Sequence, residues 1–418
     1  MQNKKIAIIG LGYVGLPLGV AFAEFYEVVG FDIDRQRIAE LQKGIDSTGE
    51  IKAHEITPNS SLVFSDAVDA IKDCNVYIVT VPTPLYPDNT PDLHFLEEAS
   101  IMIGTILKKG DLVLYESTVY PGCTEEICVP VLVKESGLQY NRDFFVGYSP
   151  ERINPGDRKR TISDIVKVVS GSNQDATEQV KALYAPVIKA GIHVAPSIKV
   201  AEAAKAIENA QRDVNISFMN ELVLMFDKMG IDTQDVLDAA ATKWNFLPFH
   251  PGLVGGHCIG VDPHYLLHKA RAVGYEPKLI AAGRAINDQM GQFVADKMIR
   301  ALVKLHRGNI RGLRVLILGF TFKENCSDTR NTKVADLYHA LCEAGLEVFV
   351  QDRRVSPEKH PDIRFEEEGL LLLPHAVIVA VKHDEFREID YVSLDENGVT
   401  IFDIQGIVPE EVAADRDD

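Results

Sequence analysis

The run Lys4-Lys5-Ile6-Ala7-Ile8-Ile9, continuing as Gly10-Leu11-Gly12-Tyr13-Val14-Gly15, decides how this chain folds. Its apolar part has the pattern of a strand buried on both faces. An apolar helical stretch follows, from about Leu16 to Phe25, and then a second strand, Glu27-Val28-Val29-Gly30-Phe31, ending at Asp32. GxGxxG alone is a weak signal. Here a strand precedes it, a helix follows it, and an acid stands at the next strand end about 20 residues on, which completes the dinucleotide fingerprint. Gly10 makes the turn, Gly12 lets a pyrophosphate approach the backbone, and Gly15 lets helix pack on strand. Tyr13 and Val14 complete the loop, and the helix N-terminus attracts phosphates. Asp32 is placed to accept ribose hydroxyls, which selects NAD over NADP. Arg35 and Arg37 alone would favour a 2′-phosphate. Arg37 is expected on a helix over Arg35–Lys43, near the adenine edge.

Further strand ends point to the same mouth. Asn75–Val81 breaks at Pro82-Thr83-Pro84. Asp111–Glu116 runs into Ser117-Thr118-Val119, and Phe144–Tyr148 into Ser149-Pro150-Glu151-Arg152-Ile153-Asn154-Pro155-Gly156. Ligands of doubly wound sheets sit beyond the carboxyl ends of strands. Thr83, Ser117 and Thr118 are thus candidates to bond the cofactor or a water, though each hydroxyl equally suits a helix N-cap. Glu151 is a candidate general base, or else a surface carboxylate in a turn.

Composition narrows the class. The 418 residues suit two or three domains, and a 46% hydrophobic fraction supplies real cores. With 61 acidic against 43 basic residues the net charge is −18. That balance argues against nucleic-acid binding, which needs a basic stripe. Six cysteines without a CxxC pair fit a reducing cytoplasm. The N-terminus reads as a strand rather than a signal peptide, and no stretch approaches the roughly 20 apolar residues of a membrane span. The acidic tail Pro409–Asp418 reads as frayed.

Ile198–Met229 contains neither Gly nor Pro and reads as one helix of roughly 30 residues, about 45 Å long. It suits a link between lobes and a subunit interface. Lys205, Asn209 and Arg212 fall near one face. A cation and an amide there suit an oxyanion, while a solvated polar stripe is the simpler alternative. Another helix is expected from about Glu276 to His306, and its Arg284 suits a phosphate or a carboxylate. Between them lies Pro251-Gly252-Leu253-Val254-Gly255-Gly256-His257-Cys258-Ile259-Gly260-Val261-Asp262-Pro263-His264. A cysteine among glycines can be open to attack a substrate, with Asp262 four residues on as base or water holder. A turn with a buried thiol fits as well. After Leu313 the α/β alternation resumes without GxGxxG: strands at Leu313–Gly319, Leu346–Val350, Ala376–Val381 and Thr400–Ile404, and a helix at Lys333–Ala344. Lys323 there suits a phosphate, and Arg330 suits the cofactor.

Gly10–Pro17, Ser117-Thr118-Val119 with Pro121-Gly122, Lys205 with Asn209, Gly255-Gly256-His257-Cys258 with Asp262, and Lys323 with Asp328-Thr329-Arg330 stand in order along the chain. Together they resemble the UDP-glucose/GDP-mannose dehydrogenase family over essentially its whole length. The resemblance implies an α/β fold with two Rossmann-like doubly wound domains joined by a long central helix. It implies an NAD domain over 1–196, a central dimerisation domain with the cysteine loop over 197–308, and a UDP-sugar domain over 309–418. The implied catalytic set is Cys258, Lys205, Asn209, Asp262, Glu151 and Thr118. Glu151, Arg152, Lys205, Asn209, Phe249, Gly255 and Lys323 would hold the substrate, with no metal.

Pro155 stands where UDP-glucose enzymes of the family carry a second Glu. With the segments around Trp244–Phe249 and Gly256–Pro263, this points to the branch oxidising UDP-N-acetylhexosamines for surface polysaccharides, most simply as a homodimer. Two other readings use the same residues. His257, Cys258, Asp262 and His264 could ligate zinc in an alcohol dehydrogenase, although the spacing matches no strong zinc pattern. A wound scaffold can also serve as a non-catalytic nucleotide sensor.

Overall fold

The structure is a computed structural model that describes residues 4–56, 61–153, 161–256, 258–409 and 412. The expectations for Asn154, Pro155, Gly156, His257 and, apart from Pro409 and Val412, the acidic tail lie outside the described residues. The chain forms two compact units, Met1–Glu208 with His264–Tyr275 and Asn209–Pro263 with Glu276–Asp418.

The first unit is built on β1 (Lys5–Ile9), β2 (Glu27–Phe31), β3 (Leu62–Ser65), β4 (Val76–Val79), β5 (Leu112–Tyr115), β6 (Phe145–Tyr148), β7 (Lys167–Gly171) and β8 (Ile192–Val194). They form one sheet in the order β3-β2-β1-β4-β5-β6-β7-β8. Pairing is parallel from β3 across to β6, and β7 then runs antiparallel to β6. The strands predicted from apolar runs are all present. The reading passed over β3, β7 and β8, because Leu62–Ser65 and Ile192–Val194 are short and the β7 segment begins with a lysine. Ile6, Ile8, Leu16, Phe22, Ile78, Leu114 and Tyr184 lie in its core.

In the second unit β9 (Arg314–Leu318), β10 (Glu347–Gln351), β11 (Ala376–Val379) and β12 (Thr400–Asp403) form a four-stranded sheet in the order β10-β9-β11-β12. All its pairings are parallel. It repeats the turn of the first sheet without its motif. Gly10 has φ 92° and donates to the Phe31 carbonyl at 2.9 Å; Gly319 has φ 88° and donates to the Gln351 carbonyl at 3.0 Å. An aspartate follows each of these carbonyl residues. Asp32 accepts from Leu11 N at 2.8 Å, and Asp352 accepts from Phe320 N at 2.7 Å. In the second sheet, however, His383 stands fully buried against that aspartate, its Nε2 3.1 Å from Asp352.

The long helix spans Ile198–Met229, matching its expected limits, and a second long helix runs over Lys278–Leu305. The division between the units falls within the first of these helices. Its face carrying Glu202, Lys205, Asn209, Asp213, Ser217 and Asn220 is polar and buried throughout. That removes the solvated-stripe alternative for Lys205 and Asn209, whereas Arg212 is exposed to solvent as that alternative expected. Glu202 accepts from the backbone N–H groups of Gly122 at 2.5 Å and Thr124 at 2.9 Å, at the start of a helical segment. Among the described residues, no helix is long and apolar enough to cross a membrane.

Burial pushes the Glu202 carboxyl up from its ordinary range to about 7, against the pull of those donors. The folded state therefore keeps this proton over a pH range in which the unfolded chain has lost it. Stability is fully present below about pH 4.5 and is lost as pH rises through 7. Across that window wild type should lose about 3 kcal/mol relative to E202Q. Urea unfolding midpoints of both proteins from pH 5 to pH 8 check this.

Candidate active site

The glycine loop is held from two sides. Asp32, at the end of β2, accepts from Leu11 N and also from Asp34 N at 2.9 Å. Arg37 lies on the helix Arg35–Gln42, but its guanidinium is buried. It donates to the Leu11 carbonyl at 2.9 Å and to Ser47 at 3.1 Å, and pairs with Asp46 at 2.7 Å. It therefore braces the loop, while Arg35 stays exposed on Asp66. Gly15 opens the helix Gly15–Ala23, and a Cβ there would stand 1.8 Å from the Gly10 carbonyl oxygen. At Gly12 a Cβ would meet nothing within 4 Å. The loop is thus open where a pyrophosphate must approach, and a half-buried carboxylate stands at the next strand end. These residues fit a dinucleotide with a free ribose 2′-hydroxyl. Val14 occupies the N-cap position of that helix, and Tyr13 is half-buried beside it.

Ser117 is buried and donates its hydroxyl to the Val81 carbonyl at 2.7 Å. Thr118, the next residue, is half-buried. The Thr83 carbonyl accepts from Tyr265 Oη at 3.0 Å. Glu151 is buried, which removes the surface-carboxylate reading. Its Oε2 lies 3.0 Å from Lys167 Nζ, and its Oε1 accepts from Arg152 N and Ile153 N at 2.6 and 2.7 Å. The Arg152 guanidinium is bidentate on Glu208, at 2.7 and 3.1 Å, and also donates to the Val166 carbonyl. Lys205 is buried one turn before Asn209 on the long helix.

In the second unit the cysteine loop is anchored along its length. Asn220 Oδ1 accepts from Gly252 N at 2.8 Å and its Nδ2 donates to the Gly252 carbonyl at 3.0 Å. Asn287 in turn accepts from Asn220 at 2.8 Å and donates to Asp213 at 2.7 Å. Gly255 fits only without a side chain, since its Cβ would stand 2.6 Å from the Asn331 carbonyl oxygen. Gly256 N donates to the Arg330 carbonyl at 3.1 Å. Cys258 is half-buried rather than sealed in the core. Its carbonyl accepts from Asp262 N at 2.9 Å, and Asp262, buried, opens the helix Asp262–Ala272 and accepts from Asn209 Nδ2 at 2.6 Å. Phe249 is half-buried, and Lys323 Nζ lies 5.4 Å over the Phe322 ring. The Arg330 guanidinium clasps Asp328 at 2.6 Å. Arg284 is buried on two carboxylates of its own chain, Asp213 at 2.5 Å and Asp288 at 2.6 Å. Among the described residues, which omit His257, no three His, Cys, Asp or Glu side chains are grouped to hold a metal.

The chain matches the NAD binding domain of the UDP-glucose/GDP-mannose dehydrogenase family over residues 4–188, its central domain over 199–289 and its UDP binding domain over 316–410. It belongs to that family. It is an NAD-dependent oxidoreductase. A UDP-N-acetyl-D-glucosamine 6-dehydrogenase from Pseudomonas aeruginosa is 52% identical, covering 98% of this chain and 99% of its own. One from Salmonella typhi is 49% identical, covering 98% of each. A UDP-D-ManNAc dehydrogenase structure from Pyrococcus horikoshii superposes with a TM-score of 0.87 at 30% identity, covering 97% of this chain and 96% of that one.

The crowding at Gly15 makes a direct test. G15A should weaken NAD binding at least tenfold and lower stability by about 1–3 kcal/mol, the usual cost of overpacking. Calorimetric titration with NAD⁺ and a thermal melt measure the two effects.

Proposed function

We propose that this chain oxidises the 6-hydroxymethyl group of a UDP-N-acetylhexosamine, with UDP-N-acetylglucosamine the expected sugar nucleotide, to the uronate. The observation that carries this reading is identity of about one half, over nearly the full length, to two chains named for that reaction. In this reading residues 1–196 hold the cofactor, 197–308 carry the cysteine loop and the dimer interface, and 309–418 hold the UDP group. A cytoplasmic role in surface polysaccharide synthesis and a homodimer complete it. In favour of the dimer, Val200, Ile207, Phe218, Met225 and Met229 recur at helical spacing on the long helix, each 45% exposed or more.

NAD, when bound at the Gly10–Gly15 loop and Asp32, supplies the hydride acceptor, once for each of two oxidations. The remaining work falls to side chains. Asp262, or a water held by Asp262 and Thr118, takes the proton of the 6-hydroxyl. Lys205 and Asn209 stabilise the developing oxyanion. The resulting aldehyde carbon is attacked by Cys258 Sγ, and the oxyanion gains a proton to give a thiohemiacetal. Loss of that hydroxyl proton and of the carbon-bound hydride leaves a thioester. Water then breaks the C–S bond, with Glu151 taking a proton from the water, and releases the carboxylate and the thiol. Covalent capture explains how a four-electron oxidation can proceed without a free aldehyde. Arg152, Phe249, Gly255 and Lys323 are assigned to substrate binding. Tyr13, Val14, Arg37, Thr83, Ser117 and Arg330 are assigned to the cofactor, Arg37 through its brace on the loop.

Incubation with NAD⁺ and, separately, UDP-N-acetylglucosamine, UDP-N-acetylgalactosamine, UDP-N-acetylmannosamine and UDP-glucose should give two NADH per sugar, fastest with the first. C258S should lower steady-state turnover at least a thousandfold while leaving NAD⁺ binding intact. Near-wild-type turnover by that variant, or one NADH with a free aldehyde, would remove the cysteine from the mechanism.

A further inference from the structure

One buried charge cluster holds Glu151 together with two residues to which the reaction as described gives no role. Lys167, at the start of β7, places its ammonium 2.8 Å from Glu116 Oε2 and 3.0 Å from Glu151 Oε2. The three side chains are 4%, 0% and 9% exposed. Glu116 follows β5, and its other oxygen accepts from the hydroxyl of Tyr184. Two carboxylates thus flank one ammonium in a buried site, so Glu151 feels the attraction of Lys167 and the repulsion of Glu116 together. Burial alone would lower Lys167, but the two carboxylates outweigh it and the ammonium is held above its ordinary range. Burial and Glu151 together push Glu116 up, against the pull of Lys167.

We infer that Lys167 is a positioning residue for Glu151, and that the repulsion of Glu116 offsets part of its pull. The inference rests on the reading that Glu151 assists hydrolysis. Lys167 fixes Oε2, and the N–H groups of Arg152 and Ile153 fix Oε1, so the carboxylate is held at both oxygens. Among the described residues, its charged and titratable neighbours include Glu116 after β5, Lys167 on β7, Tyr184 on the helix Gln174–Tyr184, and Arg152, itself paired with Glu208 of the long helix. Lys167 and Glu116 act on Glu151 in opposite senses. A cation lost makes the carboxylate harder to ionise, and a competing anion lost makes it easier.

The test is the pH profile of kcat with NAD⁺ and UDP-N-acetylglucosamine for K167M, K167R, E116Q and E151Q. The acid limb should move to higher pH by about one unit or more in K167M and to lower pH in E116Q. In K167R, which keeps the cation, it should return toward wild type. A purely structural role for Lys167 would lower activity in both K167M and E116Q without opposite displacements, and that outcome overturns the inference. If E151Q keeps the wild-type rate and profile, the hydrolytic role of Glu151 falls. The carboxyl ¹³C resonance that vanishes in E151Q then decides the matter separately. Opposite displacements of its titration in K167M and E116Q sustain the opposed action of the two neighbours, and their absence removes it.

Discussion

A polar side chain buried without partners costs free energy comparable to a large part of a protein's net stability. The long helix carries six buried polar side chains along one face, from Glu202 to Asn220. The partners of four of them shape the regions that matter for chemistry. Glu202 takes the Gly122 and Thr124 amides beyond β5. Asn209 takes Asp262, Asp213 takes Arg284 and Asn287, and Asn220 takes both polar groups of Gly252. Asn220 lies about three turns on from Asn209, so one rigid rod contacts the cysteine loop near its entry and near its exit. Loops that carry reactive groups must hold position without regular secondary structure, and here a helix supplies the missing hydrogen bonds.

The same demand accounts for the glycines. Gly255 lies against the Asn331 carbonyl, and Gly256 takes φ 84°, a left-handed value that side chains resist. Removing a side chain lets backbone meet backbone. Cys258 then follows on a turn whose carbonyl is bonded to Asp262 N, so a single helical turn separates the thiol-bearing residue from the carboxylate. In the dinucleotide loop Gly15 plays the corresponding part against Gly10, while Gly12 faces open space. One glycine serves packing and the other leaves room for a ligand.

Most of the architecture was legible because it is written in local patterns. Apolar runs marked β1, β2, β4, β5, β6 and the strands of the second sheet, and the absence of Gly and Pro marked the long helix at Ile198–Met229. The reversal of β7 against β6 was not legible, since Lys167 interrupts the apolar run that would have announced a strand. Only with Glu116, 51 residues earlier in the chain, and Glu151 as partners can a lysine sit there buried. Arg284 was read as awaiting a phosphate or a carboxylate, and its carboxylate is Asp213, 71 residues away. Long-range ion pairs leave no periodicity, so each partner looks like an ordinary charged residue until the fold brings them together.

The second sheet shows how far a local motif can mislead in the opposite direction. It lacks GxGxxG, yet it builds the same left-handed glycine after its first strand and the same aspartate after its second. What differs is the cover. Asp32 is half-buried, whereas Asp352 lies against a fully buried His383 whose Nδ1 accepts from Asn325 N at 2.9 Å. With Nδ1 accepting there, the ring turns Nε2 toward Asp352 and Thr321, each at 3.1 Å. Burial alone would push Asp352 up, but His383 and the backbone donors hold its carboxyl below the ordinary range. An acid satisfied in this way has little left to offer a ribose. The second lobe thus has the geometry of a dinucleotide turn, with a buried histidine on the aspartate that corresponds to Asp32.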